Sequence, residues 1–367
     1  MHLSHALAGV VALTGAVATR TCKQVSFNVP ATAQNLSYKG TPPATNGTTT
    51  ISGTYTIVGT YCLPALLTNN TLQILVHGIT YNKNYFAGLG FGDKYDWGIP
   101  LTQFQQTRSV TANNRGYATL AIDRLGHGDN PQHPDPLTVV QPQLQLEIFH
   151  KLFPALRDPK SPINVLGRSF KKLVYVGHSY GSFLGLTLAR QFPTDADALV
   201  LTGFSSTLDF SGVVTAQWTS YIHHAPANGN VPLGYLTFAK ESDRTNLFYA
   251  GNYDPAIPLA DFKTEDTITV GESGAVPILL QPAPTYNKLL FIATGQQDAI
   301  FCPQGTVGGC KHVLAKSRTD FFPAVPENQF GYFSPDKTGH DLQLHQSVPD
   351  TLKNVHDFLD THLYQTK

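Results

Sequence analysis

Short apolar runs alternating with helix-spaced stretches organise most of this chain. Thr71 to Val76, Tyr117 to Ile122, Leu173 to Val176, Ala198 to Leu201 and Leu289 to Ala293 are such runs. Each is of a length and composition suited to a strand buried on both faces. Leu144 to Leu156 and Ser182 to Arg190 show helical spacing between them. Val348 to Leu363 places Leu352, Val355, Leu359 and Leu363 on one stripe of a closing helix. Pro100 to Asn113 reads as a further helix and Asn328 to Phe333 as the last strand. Repeated strand–helix alternation predicts a mostly parallel sheet covered on both faces.

Two regions break the pattern. Residues 19–70 alternate apolar and polar positions. Gln24 to Val29 and Thr54 to Cys62 read as antiparallel edge strands joined by a Pro/Gly/Thr-rich loop around Gly40 to Gly53. Residues 205–285 hold many aromatics, among them Phe210, Trp218, Phe238 and Phe248. They show no clear buried strand until Val276 to Leu280. This block reads as an inserted lid of helices and loops. The expected division is 1–18 leader, 19–204 first part of the core, 205–285 lid and 286–367 second part of the core.

The chemistry gathers at one turn. The strand Leu173 to Val176 runs straight into Gly177-His178-Ser179-Tyr180-Gly181, and a helix follows. Strand, Gly-x-Ser-x-Gly and helix form the layout of a nucleophile elbow, which lifts a serine hydroxyl off the sheet at a strained turn. Glycine is wanted two residues either side because side chains there would strike the crossing backbone. A serine needs a base, and the base needs an anion to orient it. Asp298 follows a strand and a Gly-rich turn, and His340 lies in a Gly-His turn before the last helix. The order Ser179, Asp298, His340 suits loops at the carboxyl ends of parallel strands. Asp209 competes for the acid, and His345 and His356 for the base. The Tyr180 and Ile79 amides are the expected oxyanion donors. His77 and His178 read as structural. Asp123-Arg124-Leu125-Gly126-His127-Gly128 reads as support for the His77 loop.

Totals narrow the class. The chain has 367 residues, 41% hydrophobic and 14% charged, with 25 basic and 25 acidic side chains. That composition supports a large core and carries no basic stripe, so nucleic acid is not an expected partner. Ala6 to Ala18 is an apolar run of a signal peptide's length, ending Ala16-Val17-Ala18, and is too short to span a bilayer. No other stretch is long enough for a membrane helix. An even set of four cysteines in an exported chain favours disulfides. Locality favours Cys22 with Cys62 and Cys302 with Cys310. No Cys-x-x-Cys spacing marks a zinc site. Sequons stand at Asn35, Asn46 and Asn69. The expected location is therefore secreted.

On His77-Gly78, Asp123-Arg124-Leu125-Gly126-His127-Gly128, Gly177-His178-Ser179-Tyr180-Gly181, Asp298 and Gly339-His340, the chain resembles a secreted α/β-hydrolase of the kind common in filamentous fungi. The resemblance spans about residues 70–204 and 285–365. It implies the α/β-hydrolase fold, a serine nucleophile, no cofactor and no metal, while the aromatic lid points to a small-molecule substrate with a small to medium apolar group. Epoxide hydrolases and dehalogenases of this fold carry Asp where this chain has Ser179. Three activities stay open: cleavage of an ester or lactone, cleavage of an amide with Glu241, Asp243 or Asp254 binding a substrate amine, and a non-hydrolytic role.

Overall fold

The computed structural model describes residues 20–39, 45–98, 111–220 and 231–364. The leader expected over 1–18, and most of the helix expected over Pro100 to Asn113, lie outside them. Eight strands form one sheet. In chain order they are β1 (Thr21–Tyr38), β2 (Thr45–Leu63), β3 (Thr71–Val76), β4 (Ala118–Ile122), β5 (Lys172–His178), β6 (Ala198–Thr202), β10 (Leu289–Ala293) and β11 (Phe330–Phe333). Their spatial order is β1-β2-β4-β3-β5-β6-β10-β11. β1 and β2 are antiparallel, β2 meets β4 antiparallel, and every later neighbour is parallel.

β3, β4, β6 and β10 are buried along their whole length and β5 from Leu173 onward, as their unbroken apolar runs predict. β1 differs, because only Val25, Phe27, Val29, Ala31, Ala33 and Asn35 face inward between exposed neighbours. That alternation carries the hairpin well past Val29, so the loop expected around Gly40 to Gly53 is shorter. Pro30 sits in this edge strand, where a missing N–H costs no internal ladder bond. Cys22 faces Cys62 in the register and is bridged to it. Cys302 is bridged to Cys310.

Helices α1 (Pro142–Arg157), α2 (Tyr180–Gln191), α8 (Gly309–Phe321) and α9 (Val348–His362) cover the sheet. Among the described residues no helix is long and apolar enough to cross a membrane.

Between β6 and β10 the chain forms α3 (Ser211–Thr215), α4 (Glu241–Phe248), α5 (Ile257–Lys263), α6 (Val270–Gly274) and α7 (Val276–Leu279). A separate small antiparallel sheet joins them, made of β7 (Trp218–Ser220), β8 (Tyr235–Phe238) and β9 (Ile268–Thr269). The strand expected at Val276 to Leu280 is therefore a helical turn. Pro277 fits its first turn, where an N–H has no partner to lose. Its carbonyls are taken by α2, with Thr187 Oγ1 donating to Leu279 and Arg190 to Ile278. A four-residue apolar run does not separate buried helix from buried strand.

One sequon expectation is also corrected. Asn35 is fully buried, and its Nδ2 donates to the Thr138 and Val139 carbonyls. The nitrogen a glycan would occupy is already used. Asn46 is exposed and Asn69 half-buried.

Candidate active site

The loops at the carboxyl ends of the parallel strands gather at one edge of the sheet, where Ser179 lies. The serine itself has φ 54° and ψ −115°, a strained conformation between β5 and α2. A side chain at position 181 would run into the Val76 carbonyl, and one at 177 would approach the Gly181 oxygen to 2.5 Å. The two glycines therefore let the elbow sit tightly on β3. The Ser179 amide donates to Thr202, and the Ser182 and Phe183 amides turn back to the Ser179 carbonyl. The Tyr180 amide, at the first position of α2, lies outside the helix's internal ladder.

The loop after β3 lies against this turn, since a Cβ on Gly78 would stand 3.0 Å from the Ser179 Cβ. Its path is pinned from several sides. His77 Nδ1 is 2.9 Å from the Gly78 carbonyl, while His77 Nε2 accepts the Arg124 amide at 3.0 Å. Arg124 Nη2 donates to the Gly78 carbonyl. The Thr80 amide donates to Thr267 at 3.0 Å. Ile79, half-buried, is held between anchored neighbours. The 123–128 segment thus supports the His77 loop.

Asp298 and His340 meet on the loops after β10 and β11, and no hydrogen bond joins His340 Nε2 to the Ser179 hydroxyl. His340 Nδ1 lies 2.8 Å from Asp298 Oδ2, and both side chains are buried. The other Asp298 oxygen accepts the Ile300 and Phe301 amides at 2.9 Å each, which fixes the carboxylate plane. The Cys302–Cys310 bridge closes the same turn. The His340 ring lies 4.9 Å from that of His178, the residue before Ser179, and Phe301 stacks on it at 5.5 Å. A Cβ on Gly203 would touch Cε1 of both histidines at 2.9 Å. His340 Nε2 is buried and has no hydrogen-bond partner among the described residues. Burial opposes a charged imidazole, but the Asp298 carboxylate outweighs it and lifts the His340 pKa above its ordinary value.

The rivals are engaged elsewhere. Asp209 is exposed and accepts the Ser211 amide. His345 bonds backbone groups at Asp341, Gly339 and Ala250, and His356 bonds the Leu352 carbonyl.

The segment between β6 and β10 adds residues that sequence reading did not single out. Arg244, fully buried, donates to Asp261 through Nε and Nη2 at 2.8 Å each and to Thr80 Oγ1 at 2.5 Å. Tyr81 hydrogen-bonds both Asp261 and Asp341. Asp341 also faces His178 Nε2 at 3.3 Å. No motif marks these residues, because each partner comes from a different part of the chain. Ligand atoms of His178, His340 and Asp341 lie within 4.8 Å of one another. Asp298, Thr202 and Tyr81 already bind these three side chains, so the cluster reads as a hydrogen-bonded one.

Comparison with known proteins places the chain in a family. A model of an alpha/beta hydrolase family matches residues 73–345. No curated protein sequence matches. Among solved structures, the chain is similar to a thermophilic esterase from Thermogutta terrifontis, with 13% identity and a TM-score of 0.53. That match covers 92% of this chain and 98% of the esterase. It is also similar to the epoxide hydrolase VrEH1 from Vigna radiata, at 12% identity and a TM-score of 0.52, covering 84% of this chain and 95% of that one.

Proposed function

The chain belongs to the alpha/beta hydrolase family, and from that premise we propose a secreted serine hydrolase that cleaves a carboxylic ester or lactone of a small to medium apolar substrate. Ser179 Oγ attacks the carbonyl carbon while His340 Nε2 takes its proton. Asp298 holds the imidazole and offsets the charge it gains. The Ile79 and Tyr180 amides receive the oxyanion. Each such donor is worth roughly two to three orders of magnitude in turnover. The intermediate collapses to an acyl-serine as His340 returns the proton to the leaving alcohol. Water, activated by the same nitrogen, then releases the acid.

The observation that carries this reading is the His340–Asp298 pair, with a buried and unpartnered Nε2 beside the elbow. Ser179 stands where epoxide hydrolases of this fold carry Asp, which favours acyl transfer over epoxide opening. Phe248 lies 5.3 Å from the His340 ring, and Trp218 stacks on Phe238, which in turn packs on Phe248. These contacts support an apolar substrate and a lid role for residues 205–285. The two disulfides are consistent with export.

A fluorophosphonate probe should label the folded protein at Ser179, and p-nitrophenyl esters of graded chain length should be hydrolysed. Ser179→Ala should abolish both. An unlabelled, folded wild type would overturn the reading.

An amidase with the same three residues is the second reading. A groove of about 660 Å³ borders the Asp298 loop, and Asp209 and Asp243 line it. Among the described residues its lining contains no lysine or arginine, which favours a cationic group such as a substrate amine. Faster turnover of amino-acid anilides than of esters would select this reading.

A further inference from the structure

Asp341 follows the base His340 in sequence, yet its side chain turns away from that residue's work and joins three other loops. It is fully buried. One oxygen meets the Tyr81 hydroxyl, two residues beyond Ile79. The other faces Nε2 of His178, the residue before Ser179, at 3.3 Å.

Counting protons determines the state of this side chain. Asp261 is gripped by the Arg244 guanidinium at two points and accepts the Tyr249 hydroxyl at 2.8 Å, so it is an acceptor only. Tyr81 has one hydroxyl proton and touches both Asp261, at 2.8 Å, and Asp341. Given to Asp261, that proton leaves the Tyr81 oxygen facing a bare oxygen of Asp341. Given to Asp341, it leaves the same clash at Asp261. Only a proton on Asp341 removes the conflict.

The His178 end makes a competing demand on the other oxygen. Thr202 gives its hydroxyl proton to the Gly177 carbonyl at 3.0 Å, so the 3.1 Å contact with His178 Nδ1 requires a proton on that nitrogen. Burial keeps the His178 pKa well below its ordinary value, so the ring is neutral and its Nε2 is bare. That nitrogen also calls for a proton from Asp341, whose single acid proton serves either Tyr81 through Oδ2 or His178 through Oδ1, whereas the ionised carboxylate serves neither.

We propose that Asp341 is a positioning residue for the Ser179–His340–Asp298 machinery, a buried carboxylic acid that keeps its proton in the active enzyme and ties elbow, oxyanion loop and base loop together. The inference rests on the hydrolase reading above. The groups facing Asp341 are consistent with it. From the segment after β3 come Tyr81 and Tyr85, from β5 His178, from α4 and α5 Arg244 and Asp261, from the turn after α4 Tyr249, and from its own loop His340 and His345. Burial, reinforced by the Asp261 carboxylate, pushes the Asp341 pKa up to about 7. Ionisation would set two carboxylates across one tyrosine hydroxyl and place a second negative charge beside His340. The three loops would then lose their common tie, and turnover would fall on the alkaline side.

The test compares wild type, D341N and D341A in full-length protein. An asparagine amide donates where the acid donates and cannot ionise. D341A should lower kcat about 10- to 100-fold toward a p-nitrophenyl ester, through misplaced catalytic groups, with KM little changed. D341N should restore most of that loss at pH 6 and should lack the wild type's decline above neutral pH. The wild type minus D341N infrared spectrum at pH 6 should show a carboxylic acid C=O band that titrates away as pH rises.

A D341N enzyme as damaged as D341A would overturn the proposal, and so would identical pH profiles for wild type and D341N. Absence of the infrared band would overturn it even in a protein whose Ser179 reacts with fluorophosphonate. A band present in a protein whose Ser179 is inert would overturn only the hydrolase reading.

Discussion

Two fully buried arginines hold the same short loop, and their surroundings differ in charge. Arg124 donates to the Gly78 carbonyl, and Arg244 donates to Thr80. Each lies over a tyrosine of the site, Arg124 on Tyr180 at 4.8 Å and Arg244 on Tyr81 at 4.5 Å. Around Arg124, Glu272 is shared with a second basic group, His127, which also pairs with Asp266. Burial opposes ionisation of both acids, yet Arg124 and His127 hold Glu272, and His127 holds Asp266, well below the usual carboxylate range. Around Arg244, one cation faces Asp261 and Glu265 directly and Asp341 through Tyr81. There burial wins at two acids, pushing both Glu265 and Asp341 up to about 7. Burial alone therefore does not decide which acids ionise; the local ratio of cations to carboxyls does.

Removing each cation perturbs the two clusters most severely. Arg124→Met and Arg244→Met should each cost about 3–5 kcal/mol, as expected when a buried pair loses one member. The pH dependence should separate them. Near Arg244 the stranded acids can take up protons, so the loss should be largest at pH 8 and shrink toward pH 5. Near Arg124, His127 remains as a counter-charge and the loss should change less over that range. Urea denaturation at both pH values measures this. Equal pH dependence in the two variants would contradict the charge argument.

Only the Arg124–His127 part of one cluster could be anticipated from the chain. Arg124 and His127 stand in a compact segment just after a buried strand, and their closeness to the His77 loop follows from strand order. The meeting of Asp298 and His340 was legible for the same reason, because parallel strands deliver their following loops to one edge. Arg244, Asp261 and Tyr81 carry no such signal. They lie in or contact the segment between β6 and β10, where short helices and a detached small sheet replace the alternation. That irregularity also hid α7, since Val276 to Leu279 has apolar residues but neither the length nor the period to tell helix from strand. Asp341 was visible beside His340, but its state depends on a hydroxyl shared with a residue 260 positions away. The inward turn of Asn35 was hidden likewise, because the burial alternation of β1 outlasts its apolar residues.

Neutralising one acid in each cluster sharpens the contrast. Glu265 has a folded pKa raised above its unfolded value, so its stabilising contribution is full below about pH 4.3 and is lost as pH rises through about 7. Glu265→Gln should remove that loss and flatten stability between pH 5 and 8, a relative gain of about 1–2 kcal/mol at the alkaline end. Glu272 has the opposite sign. Its depressed folded pKa contributes stability above about pH 4.3 that disappears as pH falls. Glu272→Gln should therefore cost about 1–3 kcal/mol at neutral pH, with the deficit closing on acidification. Thermal melts across pH would check both signs, and a Glu265→Gln curve parallel to wild type would count against the first.

The mildest probe removes a bridging polar group from each cluster. Gln145 sits between Arg124 Nη1 at 3.0 Å and Glu272 Oε1 at 2.7 Å, while the two ions also touch directly. Gln145→Leu should cost about 1 kcal/mol at any pH from 5 to 8, because the ion pair survives without the amide. Tyr81 is the matching bridge between Asp261 and Asp341, but those two acids have no direct bond to fall back on. Tyr81→Phe should cost about 1 kcal/mol at pH 6, where a protonated Asp341 loses its acceptor, and less above pH 8, where ionisation has already broken that bond. Differential scanning calorimetry at the two pH values reads the difference. A Tyr81→Phe deficit as insensitive to pH as that of Gln145→Leu would mean that the Arg244 cluster is as fully ionised as its counterpart.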